Sequence, residues 1–418
     1  MTWCSRAGWK GFLPVTKLRS VADHRARVLA LGAPLPPESV PVTAALGRVL
    51  AGQVIAAVDL PGFDNSAMDG YAVRAVDVHG ASPVAAVALP VDGDIAAGDT
   101  ARHTLTPGRT LRIMTGAPMP TGADAVVPVE ASDGGSEVVH VTAEPAPGAH
   151  VRRRGEDVRA GEAVLSAGTR LGPGHIGLVA ASNVARVKVH RRPRVSVLST
   201  GDELVPPGSV LAHGQIVDSN SLMLAALVEA AGAQVVGRGH LRDDKERMRA
   251  TLLDIPGEPD LVLTTGGVSM GVYDTVKEVL REDGGVEFVK VAMRPGMPQG
   301  CGVVGPRRTP VVTLPGNPVS TLVSFHIFVL PLLRRLAGLD PDDDGRFTAR
   351  AGAPWRTAAG KVELTRVVVR DGVVTPSGGQ GSHMLGALAQ AAALALVPEQ
   401  QTQVEPDDVL TCLPLLGP

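Results

Sequence analysis

Apolar and polar positions alternate between two patterns over residues 194–280. Short runs of apolar and small residues are typical of strands buried on both faces of a parallel sheet; they lie at Arg194–Leu198, Gln234–Gly237 and Leu261–Leu263. Segments with helical character follow them at Asp218–Ala231, a charged stretch ending at Leu253, and Val276–Leu280. This strand–helix alternation predicts a doubly wound parallel sheet.

The rest of the chain indicates separate domains. Helical spacing predicts a helix over Leu18–Leu31 and another from Thr43 to Leu50, whereas short strands broken by Gly and Pro predict a β-rich insert from Val84 to Val141 and a β-domain after Phe347. We therefore expect a multidomain α/β plus β fold. Its domains are a discontinuous helical and β-domain (13–60 and 150–192), a β-rich insert (61–149), an α/β domain (193–340) and a C-terminal β-domain (341–418).

Composition and net charge argue against several classes of protein. A net charge of −2 gives no reason to expect a nucleic-acid partner, and the three cysteines lie too far apart to indicate a disulfide framework or a zinc motif. The apolar segment Val319–Leu333 is too short to span a bilayer and contains His326 and Pro331, so it predicts a buried helix. With no signal-peptide pattern at the N-terminus, we expect a cytoplasmic protein without a membrane span.

Candidate chemistry lies where the predicted strands end. Gly266 and Gly267 follow the strand at Leu261 and could present backbone N–H groups to a phosphate, although glycine pairs also occur in ordinary turns. Acidic residues follow the strands at Asp202–Glu203, Asp243–Asp244 and Asp274. Carboxylates gathered beside phosphates are typical of a Mg²⁺ site, but some of them can instead cap the following helices.

A second anion site is predicted at the start of the buried helix. The turn Leu314–Ser320 places a helix N-terminus after Pro318 with the hydroxyl of Ser320 nearby, and Lys290 and Arg294 supply positive charge. The run Arg152–Arg154 is open to two interpretations, a solvated face or a grip on a phosphate or an opposite subunit.

Eight motifs occur in the order found in molybdopterin molybdenumtransferases, the family that includes the catalytic domain of gephyrin. They are PGFDNSAMDGYAV, RIMTGAP, RRRGEDV, STGDEL, TTGGVSMG-x-x-D, RPGMP, LPGNPVS and GGQGSH. The chain resembles this family from about Lys17 to its C-terminus. The resemblance implies a homodimer of four-domain subunits, with the discontinuous domain for dimerisation and the α/β domain for molybdopterin. It also implies reaction of adenylylated molybdopterin with molybdate and Mg²⁺ to give molybdenum cofactor and AMP, with a molybdopterin adenylyltransferase as the upstream donor.

The resemblance assigns roles to individual residues. Gly266, Gly267 and Ser269 match positions facing the pterin phosphate and adenylyl group. Acidic positions for Mg²⁺ and catalysis are matched by Glu203, Asp243 and Asp274. Asp69 and Thr115 match catalytic positions in an insert that, in the family, reaches the partner subunit. Lys290 belongs to the same substrate-binding set, and the positions associated with molybdate are matched by Arg294, Pro298, Ser320, Arg366 and Ser382.

Two other functions stay open. A gephyrin-like scaffold would keep the fold and bind protein clients, and Met297 leaves room for it because the family's loop often carries a lysine there. An adenylyltransferase-like activity of the α/β domain alone would leave Asp69, Thr115 and the C-terminal domain unexplained.

Overall fold

The computed structural model describes residues 18–242, 244–255, 257–267, 275–282 and 285–416. The chain divides into two compact units, one of residues 39–189 and one that combines residues 1–38 with 190–418. The predicted domain boundaries are finer than this division and stay a prediction.

A six-stranded sheet forms the centre of the larger unit. Its strands, in spatial order, are Gln234–Leu241, Arg194–Thr200, Leu261–Thr265, Thr309–Leu314, Pro298–Val304 and Val286–Lys290. The first four are parallel to one another, Pro298–Val304 runs antiparallel to them, and Val286–Lys290 is antiparallel to Pro298–Val304. The predicted parallel sheet thus ends in two antiparallel pairings. The parallel strands all end at one edge, where ligand sites of α/β sheets lie.

Helices cover both faces of this sheet. Side chains of the central strand alternate between two cores: Leu261 and Leu263 pack in one, with the helices Asn220–Ala230 and Pro318–Ser324, and Val262 packs in the other, with Lys245–Leu253 and Thr275–Glu282. All three side chains are fully buried. Burial on both faces explains why the strand reads as an uninterrupted apolar run, and the doubly wound prediction is confirmed.

The predicted buried helix extends over Pro318–Leu336. It consists of the α-helices Pro318–Ser324 and Leu330–Leu336 joined by a π-helical turn, Phe325–Val329. The turn precedes Pro331, which has no backbone N–H to continue the regular ladder. The segment is longer than predicted and by length and composition could cross a membrane, so the prediction that it is too short was wrong. The predicted burial is confirmed, since 89% of its apolar window is buried inside the protein.

A closed barrel follows in the same unit. Its strands, in order around the barrel, are Val362–Arg370, Val373–Pro376, Phe347–Ala351, Val409–Pro414 and Ala393–Val397, and the last pairs with the first. The strand Met293–Arg294 adds to Val362–Arg370 in parallel. The two-stranded pairs Leu204–Val205 with Ile216–Val217 and Trp355–Arg356 with Gln403–Val404, and the helices Val21–Leu29 and Leu385–Leu388, complete the unit.

The unit of residues 39–189 contains the predicted β-rich insert. Its five-stranded sheet has the order Ala125–Pro128, Gly70–Val73, Thr110–Ile113, Val87–Ile95 and Val138–Val141. The unit also contains the strand pairs Val54–Ile55 with Ala163–Leu165 and Asn65–Ser66 with Val151–Arg152, and the helix Pro173–Ala181.

The prediction of a helix from Thr43 to Leu50 is wrong. Only the single 3₁₀ turn Val42–Ala44 forms, after which Gly47 adopts a φ of +73° and Leu50 enters a bridge with Val189. Gly47 is accommodated in this left-handed conformation without strain, which ends the helix before it can propagate.

Candidate functional site

The glycine-rich turn after Leu261–Thr265 is built for close backbone approach. Gly266 and Gly267 have φ of +90° and +68°. A Cβ on Gly266 would lie 2.6 Å from the Oγ1 atom of Thr200 and 2.8 Å from its carbonyl oxygen. Only glycine therefore fits at residue 266, since both its conformation and its space exclude a side chain.

Hydrogen bonds tie this turn to the next one along the edge. The Nδ2 atom of Asn220 donates to the Oγ1 atom of Thr265 at 3.0 Å and to the carbonyl oxygen of Gly316 at 2.6 Å. The backbone N–H of Gly266 donates to the carbonyl of Leu314. The turns after two neighbouring strands and the start of the helix Asn220–Ala230 thus form one rigid edge. Asn220 follows two residues after Asp218 in the sequence, but only the fold reveals this bridge.

Glu203 lies beside this edge with an exposed side chain. Its carboxylate occupies the space that a Cβ on Gly201 would need, and the Gly201 carbonyl accepts a hydrogen bond from the Nε2 atom of His240 at 2.7 Å. Of the three residues matched to the acidic positions for Mg²⁺, Glu203 lies among the described residues. The other two, Asp243 and Asp274, and the predicted phosphate contact Ser269 lie outside them.

The predicted molybdate loop joins the sheet to the barrel. Lys290 and Pro298 are register partners in adjacent antiparallel strands. Arg294 pairs in parallel with Glu363 of the barrel, and its Nε atom lies 3.8 Å from the Oε1 atom of that residue. Burial raises the pKa of Glu363, and the nearby positive charge of Arg294 acts against this shift.

Ser320 and Ser382 both lie at the start of the buried helix. Ser320 is buried in the first turn, and the backbone N–H of its neighbour Val319 donates to the carbonyl oxygen of Ser382 at 3.1 Å. A loop of the barrel therefore lies against this helix N-terminus, and its carbonyl takes one of the N–H groups that could otherwise bind an anion.

Arg366 holds that loop through hydrogen bonds to its backbone. Its side chain is 1% exposed, and its guanidinium donates to the carbonyl oxygens of Gly379, Gly381 and Met384 at 2.6, 3.3 and 3.0 Å. Burial lowers the pKa of Arg366. Within the described part of the chain no ion pair of Arg366 with a carboxylate is present. Its positive charge is therefore left to the loop and to any anion that the loop holds, and its predicted contact with molybdate stays a prediction.

Asp69 and Thr115 are brought together in the unit of residues 39–189. The Oδ1 atom of Asp69 accepts hydrogen bonds from the backbone N–H of Thr115 at 2.6 Å and from its hydroxyl at 2.8 Å. These bonds hold the pKa of Asp69 below its usual value. The carboxylate is thus kept ionised and oriented between two strand ends, Gly70–Val73 and Thr110–Ile113.

The larger unit as a whole defines a class: an α/β domain with a glycine-rich turn at its strand ends, joined to a β-barrel whose loop bonds to the start of one helix. Family models match nearly the full chain. The "MoeA N-terminal region (domain I and II)" covers residues 19–183, the "Probable molybdopterin binding domain" residues 196–335 and the "MoeA C-terminal region (domain IV)" residues 348–415. The chain belongs to the MoeA family, and the resemblance drawn from its motifs is confirmed.

Individual relatives agree with this assignment. Molybdopterin molybdenumtransferase 2 of Mycobacterium tuberculosis (strain CDC 1551 / Oshkosh) is 48% identical over 395 residues, which cover 93% of this chain and 97% of that protein. Molybdopterin molybdenumtransferase of a Nostoc species is 40% identical over 373 residues, or 87% and 86% of the two chains. The crystal structure of the molybdopterin biosynthesis MoeA protein from Pyrococcus horikosii superposes with a TM-score of 0.81 at 31% identity, covering 96% of this chain and 100% of that one.

Proposed function

We propose that this protein is a molybdopterin molybdenumtransferase of molybdenum cofactor biosynthesis. It would insert molybdate into adenylylated molybdopterin with Mg²⁺ present and release AMP. The names of its relatives support the first statement. The observation that supports the second is the glycine turn at Gly266, where the backbone is close to Thr200 and no side chain fits.

We assign a role to each site residue from its charge and its position. The Gly266–Gly267 turn, with Ser269, would hold the phosphate end of the substrate. The Gly266 N–H is already bonded to the carbonyl of Leu314, so we assign the phosphate to the Gly267 N–H. The molybdate oxyanion would be bound by Lys290, Arg294, Pro298, Ser320, Arg366 and Ser382. Catalysis would rest on holding two anions side by side, since phosphoryl chemistry depends mainly on positioning and charge stabilisation.

Glu203 fits a role in binding Mg²⁺. Its exposed carboxylate lies at the edge where a phosphate would bind, and Mg²⁺ is usually held by one or two carboxylates together with substrate phosphates. We propose Asp243 and Asp274 as further ligands. When bound, the ion would neutralise the phosphates and polarise the phosphoanhydride that breaks.

We also propose that the protein is a cytoplasmic homodimer and that a molybdopterin adenylyltransferase supplies its adenylylated substrate. In such a dimer the oriented carboxylate of Asp69 and the hydroxyl of Thr115 would reach the partner's cleft as catalytic groups. This accounts for a polar pair built into the β-rich insert. The domain boundaries 13–60 with 150–192, 61–149, 193–340 and 341–418 belong to the same proposal.

The test is AMP release from adenylylated molybdopterin, with Mg²⁺ and with or without molybdate. We expect molybdate-dependent release that falls at least tenfold in Glu203→Gln, because the amide keeps the shape but removes the charge that holds the metal. Glu229→Gln, an exposed carboxylate near the far end of the helix Asn220–Ala230, is the matched control. Tight binding of the pterin without release would contradict the proposal and favour a gephyrin-like scaffold that binds protein clients.

Met297 offers a separate test of the molybdate loop. Its side chain is half-buried while its carbonyl oxygen accepts the Val291 N–H at 2.7 Å, so a longer cation can replace it without breaking the loop. We expect Met297→Lys to lower the molybdate concentration for half-maximal AMP release about fivefold, as roughly 1 kcal/mol of added charge attraction implies. Met297→Leu should leave that concentration unchanged. An equal or higher value for the lysine variant would refute the idea that Met297 leaves the molybdate site short of a positive charge.

A further inference from the structure

A cavity of about 230 Å³ opens beside the strand-end edge. It lies among the ends of Arg194–Thr200 and Gln234–Leu241, the loop after Leu204 and the start of the helix Asn220–Ala230. Ser199 in its wall directly precedes Thr200, whose carbonyl packs against Gly266. Its volume is near the lower limit for small-molecule sites, roughly 300 Å³.

The lining of the cavity combines apolar and polar side chains. The apolar ones are Leu204, Val205, Pro206, Pro207 and Leu222, and the polar ones include Asp218, Arg238 and His240. A mostly apolar pocket with a few polar groups is the usual make-up of a small-molecule site.

Asp218 is oriented as an acceptor. Its Oδ1 atom accepts the backbone N–H of Ser221 at 3.1 Å. Burial opposes ionisation, yet hydrogen bonds from Ser221 hold the pKa of Asp218 below its usual value, so the group is a carboxylate at neutral pH. An ionised carboxylate only accepts hydrogen bonds, and it pairs best with two neighbouring N–H donors.

We propose that this cavity binds the pterin ring of the substrate through Asp218, an inference that rests on the proposed function. The 2-amino-4-oxo edge of a pterin presents an amino group and a ring N–H side by side, which match a carboxylate. The same edge offers a carbonyl oxygen, and Arg238 supplies donors for it. Adenine presents a donor beside an acceptor, so its edge would set a ring nitrogen against the carboxylate. The adenylyl end of the substrate therefore lies elsewhere.

The experiment measures binding, not turnover, of 6-hydroxymethylpterin, guanosine and AMP to the full-length protein. Asp218→Asn keeps the acceptor oxygen for the Ser221 N–H but places an amide donor against the pterin edge. We expect the Kd for the pterin to rise at least tenfold and the Kd for AMP to change less than twofold. Glu229→Gln should change neither. The thermal midpoint of each variant shows whether the helix start is intact.

The outcomes separate the two proposals. Loss of AMP binding in Asp218→Asn would assign the cavity to adenine and overturn the inference, as would pterin binding that the substitution leaves unchanged. Guanosine carries the same donor pair, so guanosine that binds more tightly than the pterin would show that the cavity is a guanine site instead. Pterin binding that depends on Asp218, in a protein without molybdate-dependent AMP release, would support the cavity assignment and refute the transferase.

Discussion

Gly266→Ala should reduce molybdate-dependent AMP release at least a hundredfold. The new Cβ would lie 2.6 Å from the Thr200 Oγ1 atom and 2.8 Å from its carbonyl oxygen. Rotation of the threonine side chain relieves the first contact, but the second is to backbone, and either Thr200 or the turn must move. Overpacking of this kind costs about 1–3 kcal/mol, to which a positive φ of +90° adds about 1 kcal/mol.

This movement matters because the turn is fixed from both sides. Thr200 ends the neighbouring strand, and Gly266 also bonds to Leu314 of the next. A shift of the turn would displace the Gly267 N–H that we assign to the substrate phosphate, and misplacement by about 1 Å can cost a hundredfold in rate.

Gly232→Ala is the matched control. Gly232 also has a positive φ, +81°, and follows the helix Asn220–Ala230, but nothing lies within 4 Å of its Cβ position. The Gly232→Ala variant should lose about 1 kcal/mol of stability and keep its activity. Equal losses of activity in the two variants would show that backbone strain, not the contact with Thr200, is responsible, and full activity of Gly266→Ala would remove the turn from the site.

Local pattern was enough to predict the α/β domain. Leu261–Leu263 could be recognised as a strand because burial on both faces requires an apolar run, and the glycines after it mark the turn. The strand Thr309–Leu314 was not recognised, although it follows the same rule. Pro310 lies at its start, and proline is unusual inside a central strand.

Contacts between residues far apart in the sequence could not be predicted from local pattern. Arg366 could be matched to a family position, but only the fold shows that its guanidinium holds carbonyls 13 to 18 residues away in the GGQGSH loop and the residue after His383. Asn220 likewise bridges Thr265 and Gly316, 45 and 96 residues distant. Neither spacing leaves a periodic signal. Lone polar residues of this kind are indistinguishable in sequence from helix caps or solvated side chains.

The stability of the larger unit should fall as the pH decreases from 6.5 to 4. His24 and His326 are buried, 0% and 1% exposed, and burial lowers the pKa of each from 6.5 to about 4. Above pH 6.5 both are neutral in the folded and unfolded states, so they add no pH dependence. Below it, the unfolded chain takes up protons that the folded chain excludes, and each histidine costs up to about 3 kcal/mol by pH 4.

The two histidines differ in their partners. His326 bonds through Nδ1 to the carbonyl of Leu322 at 2.9 Å, and its Nε2 atom accepts the Leu416 N–H at 3.0 Å. Neither ring nitrogen of His24 has a hydrogen-bond partner among the described residues, and the ring packs edge-on against Phe328 at 4.7 Å. An apolar residue can therefore replace His24 without loss of a hydrogen bond, whereas replacing His326 leaves the Leu416 N–H without its acceptor.

His24→Leu should match or exceed wild-type stability at pH 7 and lose about 2 kcal/mol less than wild type between pH 7 and 5. His326→Leu should show the same reduced pH dependence but be less stable at pH 7 by about 1–3 kcal/mol. Hydrogen exchange of the amides in Pro318–Leu336 measures both effects, and no change between pH 7 and 8 is the internal control. A pH dependence that persists undiminished in His24→Leu would mean that His24 is protonated in the folded protein. Its ring would then need an acceptor that the edge-on packing against Phe328 does not supply.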